Sequence, residues 1–137
     1  MVTPEILITI RKDILDSGRD NRYNLAAYAF VLNGLEFYRT KTGEKRHFTG
    51  QELCGGLMEF ACRQFGPMTT TVLEHWGVRS TDDFGNIVYN LIDIRLIRKQ
   101  PSDSLQDFFG VLDIREFSGR SDYFQVDRDH VRTIRGA

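Results

Sequence analysis

Arg46, His47 and Glu52 stand close together in the run Arg46-His47-Phe48-Thr49-Gly50-Gln51-Glu52. A guanidinium, an imidazole and a carboxylate at the head of a helix can hold an anion or a phosphate, because helix N-termini carry free N–H groups and positive charge. The same His and Glu can serve as an acid–base pair. Against both uses stands the spacing Thr49-x-x-Glu52, which is that of a capping box and assigns the carboxylate to the backbone. Capping is the stronger reading, with Arg46 and His47 tying the preceding loop to the fold.

Cys54 with His47 as its base is a second chemical pairing. Cys54 and Cys62 lie eight positions apart in one helical segment, about 12 Å along a helix, too far for a disulfide. Both read better as small buried hydrophobes in a reducing compartment. The three histidines, His47, His75 and His130, form no H-x-H or H-E-x-x-H pattern and no pairing with C-x-x-C. No metal and no cofactor is therefore expected.

Asp82 and Asp83 are neighbours, and a helix points neighbours about 100° apart, so capping suits them better than a shared ion. Trp76 is a candidate anchor for a partner. Its spacing with Met68, Val72 and Leu73 favours the core instead. Arg128, Arg132 and Arg135 recur at i, i+4 and i+7 and would present one basic stripe to phosphates. Asp127 and Asp129 dilute that stripe.

These residues need a scaffold, and the totals bound it. A chain of 137 residues with 41% apolar and 27% charged residues fits one globular domain. The net charge of −1 supplies no global field toward nucleic acid or anionic membrane. No apolar run approaches the roughly 20 residues of a membrane span, and the first residues lack a cleavage signal. A cytoplasmic location is the expectation.

Hydrophobic periodicity predicts about five helices. Thr3-Pro4 opens the first, although the β-branched Ile-Leu-Ile-Thr-Ile allows a strand. Asn24–Tyr38 is apolar on more than one side, as in a central helix. Thr49 starts a third, whose Gly55-Gly56 pair marks a close helix crossing or the close approach of another backbone; Gly66-Pro67 breaks the chain before a short fourth ending at Gly77. Ser80 or Thr81 caps a fifth, with the stripe Phe84, Ile87, Val88, Leu91 and Ile92. Leu96-Ile97 either continues this helix or opens a strand. Beyond Pro101, Ser102–Ser104 either caps a short helix through Phe109 or turns between strands at 96–99 and 108–114.

The expected fold is thus mainly α, winged-helix-like in its second half, with room for a small C-terminal β element. Residues 1–117 form the domain, and 118–137 a polar, basic extension.

Several runs resemble an uncharacterised family of small bacterial proteins found mainly in planctomycetes and verrucomicrobia. They are Arg46-His47, Gly50-x-Glu52-Leu53, Phe65-Gly66-Pro67-Met68, Leu73-Glu74-x-Trp76-Gly77 and Asp83-Phe84-Gly85-x-Ile87-Val88-x-Asn90-Leu91. The likeness covers about residues 5–117 and implies a bacterial cytosolic protein; it brings no activity and no functional residues. Asp83-Phe84-Gly85 is not the kinase motif, since the Gly-rich and H-R-D loops are missing.

No catalytic signature rises above background, and the chemistry leans away from an enzyme. The leading expectation is a non-enzymatic module that docks a protein partner or a second copy of itself. One alternative is nucleic-acid binding through the winged-helix-like half and the basic tail, which the acidic start of the fifth helix opposes. The other is a small anion- or ligand-binding protein, or an enzyme, using Arg46, His47 and Glu52.

Overall fold

The computed structural model describes residues 2–43 and 48–119. They fold as helices, with no strand among the described residues. α1 (Pro4–Ile10) starts where the Thr3 hydroxyl accepts from the Ile6 N–H and Pro4 takes the first turn. That start overrides the strand tendency of the β-branched run. The chain then widens into a π-helical stretch, Arg11–Asp16. Ile10 and Ile14 both end fully buried.

α2 (Leu25–Thr42) is capped by Asn24 and closed by Gly43. It runs past the expected end at Tyr38, because Arg39 and Lys41 are good helix formers and suit its negative end. α3 (Gly50–Phe65) packs antiparallel to it. Phe30 meets Phe65 and Phe60 at ring separations of 6.0 and 5.3 Å, and Gly34 faces Leu57 and Phe60. Tyr38 lies over Gly56, where a Cβ would fall 2.6 Å from the ring; a Cβ on Gly55 would meet nothing within 4 Å among the described residues. Only one glycine of the pair makes the crossing.

A 3-10 turn (Gly66–Met68) leads into α4 (Thr69–His75). This helix ends in a Schellman turn: Val78 N–H reaches Leu73 O at 2.8 Å and Gly77 N–H reaches Glu74 O at 3.0 Å. Gly77 holds the left-handed conformation at φ 94, and Val78 and Leu73 close the contact beneath it, both buried,. α5 (Thr81–Asp93) begins with a capping box between Ser80 and Asp83. Its stripe of Phe84, Ile87, Val88 and Leu91 is at most 4% exposed. Each such side chain contributes about 1.5–3 kcal/mol on burial.

α5 neither continues through Leu96-Ile97 nor passes into a strand. Leu96 N–H returns to Leu91 O and Arg95 N–H to Ile92 O, so the helix ends in a second Schellman turn. Here the left-handed residue is Arg95, at φ 66, where glycine is usual. Of the two readings left open beyond Pro101, strands at 96–99 and 108–114 are not formed, and among the described residues no wing follows α5. Ser104 and Asp107 make a capping box over a 3-10 turn, Leu105–Phe108, and α6 (Ile114–Ser118) is capped by Asp113. Phe108 fits where Gly50 and Gly85 both lack a side chain, which lays the 3-10 turn across α3 and α5. α6 runs through the expected 117/118 boundary, and Ser118 is buried, taking a hydrogen bond from the Thr70 hydroxyl at 3.1 Å.

Candidate binding cleft

α5 carries two kinds of surface beside its apolar stripe. On one side Asp83, Asn86, Asn90 and Asp93 recur at helical spacing, and the loop 19–24 closes over them. The Tyr23 hydroxyl donates to Asp83 Oδ1 at 2.5 Å and accepts from Asn86 Nδ2 at 3.0 Å. Asn90 Nδ2 donates to Asp20 Oδ2 at 2.8 Å and to the Tyr28 hydroxyl at 3.0 Å. Arg19 pairs with Asp93 at 3.1 Å. Asp20 is 8% exposed and also accepts from the Arg22 backbone N–H, Nε and Nη2. The Arg22 hydrogen bonds hold its carboxyl down at about 2, against the opposing effect of burial. Burial pushes the Tyr28 hydroxyl up to about 12 and raises Tyr23 further still.

Every charge in this clasp has its partner, so it is a structural lock. It also accounts for the Asp83-Phe84-Gly85-x-Ile87-Val88-x-Asn90-Leu91 run. Asp83 and Asn90 hold the loop, Gly85 admits Phe108, and the apolar members fill the core.

The other side is open. A cleft of about 680 Å³ lies between α1, α2, the start of α3 and the turn after α5. Its floor is aliphatic and aromatic, with Leu35, Phe48, Leu53, Val88 and Ile97 among its members. Arg39 on α2 and Arg98 after α5 stand on its rim, both exposed. Among the described residues no carboxylate pairs with either. Glu36 shares the rim and has an interaction of its own. Phe48, Leu53, Val88, Ile97 and Arg98 also line a smaller inner pocket of about 40 Å³, together with Tyr89, Asp103 and Asp107. The Tyr89 hydroxyl is buried and has no hydrogen-bond partner among the described residues. Burial is the main influence raising its pKa, with Asp103 and Asp107 adding to it.

The residues singled out from sequence fall as follows. Glu52 is used by the capping box: its Oε1 accepts from Thr49 N–H at 3.0 Å, and its own N–H reaches Thr49 Oγ1 at 3.2 Å. Arg46 and His47 lie outside the described residues, as do Arg128, Arg132 and Arg135. Phe48 and Leu53, on either side of the capping box, line the cleft. Trp76 is half-buried against Phe30 and Phe65, at ring separations of 5.7 and 5.5 Å. Cys54 is fully buried, and burial pushes its thiol up to about 12, which removes the thiolate a nucleophile needs,.

Asp82 and Thr81 at the first turn of α5 accept from the backbone N–H groups of Gly110 and Val111. The segment 110–111 therefore covers the turn that a recognition helix would lead with. Among the described residues no group of three His, Cys, Asp or Glu is placed to hold a metal, and no helix is long and apolar enough to cross a membrane.

Sequence reading missed the clasp and the cleft for different reasons. The polar stripe on α5 was visible at 83, 86, 90 and 93, but its partners come from a loop some 60 to 74 residues away. The cleft gathers single residues from four segments and leaves no local pattern. No protein-family model, curated protein or solved structure matches the chain.

Proposed function

We propose that the chain is a non-enzymatic protein-interaction module whose docking face is the cleft at the start of α3. The observation that carries this reading is an apolar cleft floor beneath two arginines that no described carboxylate pairs with. A fold that pairs each charge of its clasp while leaving these two exposed has the composition of a partner surface, apolar at the centre with Arg at its edge. The same reading includes membership of the bacterial family resembled in sequence, and a cytosolic setting.

Affinity capture on the full-length chain tests it, comparing wild type with Leu53→Asp and Ile97→Asp in the cleft and with Gln64→Asp on an exposed face elsewhere. Circular dichroism establishes that each variant is folded. Proteins retained by wild type and Gln64→Asp but lost by both cleft variants are the expected result. Identical capture by all four would remove the cleft as the docking face.

A second reading, a small amphipathic ligand in the same cleft, is favoured by its size. The volume falls within the range of roughly 300–1,000 Å³ typical of small-molecule pockets.

A further inference from the structure

Resting on the reading of this cleft as a docking face, we infer that its occupant is an amphipathic helical segment of a partner protein. Its aliphatic face is flanked by Asp or Glu on the outer side, with a neutral hydrogen-bonding group inward. Three features of the cleft specify this chemistry.

The cleft is lined from α1, α2, the start of α3 and the turn after α5, so an occupant touches several elements at once. That suits the helix-in-groove mode, in which aliphatic anchors at i, i+3, i+4 and i+7 leave water together.

The rim supplies Arg39 and Arg98. An exposed guanidinium beside an apolar floor favours a carboxylate, which it can hold with two parallel hydrogen bonds. The acidic groups nearby are already committed. Asp107 accepts from the Ser104 N–H and Asp103 from the Gln100 N–H, and both stand at the inner pocket. The two aspartates oppose a second carboxylate there, where Arg98 is the one cation among the described lining residues, so the acidic flank of the partner belongs on the outer rim, within reach of Arg39 and the outer side of Arg98.

The inner pocket holds the Tyr89 hydroxyl. Among the described residues nothing satisfies it; a buried hydroxyl without a partner is unfavourable, and such groups concentrate at functional sites. A serine, threonine, asparagine or glutamine side chain can accept from Tyr89 and donate toward Asp103 or Asp107. The pocket, at about 40 Å³, exceeds the roughly 10–15 Å³ that one water needs. Room for a hydroxyl or an amide is therefore present.

The experiment titrates fluorescent helical peptides of about 16 residues onto the full-length chain. One carries the Leu anchors, Glu flanks and a central Gln; a twin has Lys in place of Glu. Saturable binding of the acidic peptide, at least about tenfold tighter than its Lys twin, is expected. Arg39→Glu with Arg98→Glu should reverse that order. Tyr89→Phe should raise the melting temperature of the free protein by roughly 2–6 °C yet weaken the Gln-bearing peptide. A purely structural tyrosine would not separate those two readouts.

Equal binding of the two peptides, abolished by Leu53→Asp, would overturn the charge assignment while leaving the docking reading intact. Absence of peptide binding, with saturable binding of sodium dodecanoate lost in Leu53→Asp, would overturn both in favour of a small amphiphile. Tyr89→Phe that leaves both stability and peptide affinity unchanged would remove the inner subsite.

Discussion

The clasp and the cleft lie on the same helix, α5, and treat polar groups in opposite ways. In the clasp a buried carboxylate, Asp20, accepts four hydrogen bonds, and two tyrosine hydroxyls are tied to Asn86 and Asn90. At the cleft a tyrosine hydroxyl in the inner pocket is buried with no partner among the described residues, and two arginines stand on the rim of an apolar floor. Folding rewards the first arrangement and gains nothing from the second. Residues that serve stability are therefore separable from those proposed to serve binding. The family-like run in α5 falls on the stability side.

The largest effect expected on this comparison comes from Gly77. A Cβ there would fall 2.3 Å from Arg22 O, in the clasp loop, on top of the left-handed strain at φ 94. Gly77→Ala should cost about 3 kcal/mol or more in urea unfolding. A loss below about 1 kcal/mol would mean that the loop yields and is no lock.

Asp20→Asn comes next, at about 2 kcal/mol near neutral pH. The folded carboxyl is held at about 2 against an ordinary value of 3.8, and each pKa unit corresponds to about 1.4 kcal/mol. Because the folded value is the lower one, this stability is present above pH 4 and is lost as pH falls toward 2. Unfolding measured from pH 6 to pH 2 should show that slope in the wild type and a shallower one in Asp20→Asn. Parallel slopes would refute the assignment.

The smallest effect has the opposite sign and lies at the turn that ends α5, on the clasp side beside Arg19 and Asp93. Arg95→Gly should stabilise by roughly 1 kcal/mol, since only the left-handed strain is relieved. No change, or a loss, would show that the arginine side chain makes up for its backbone.

How much was legible can be seen in α4 and α5. Gly77 announced the end of α4 in sequence because glycine is the common left-handed residue. α5 ends by the same turn, but with Arg95 in that place, so its end was unreadable and Leu96-Ile97 passed for helix or strand. The capping boxes at Thr49 and Ser80 were readable because their partners lie three residues apart. Ser104 with Asp107 obeys the same spacing, yet the apolar run after it allowed a strand until Phe108 met Gly50 and Gly85.

The chain by itself determined what depends on neighbours along it: helical period, caps, breaks, a mainly α fold and buried thiols. Tertiary structure decided what depends on residues distant in sequence. It set Asp20 against Asn90 and Tyr23 against Asp83, and it left Arg39, Arg98 and Tyr89 around one cleft. Local hydrogen bonds follow fixed spacings and can be read in order. Long-range pairings follow only from how the helices pack, and so does an open cleft between them.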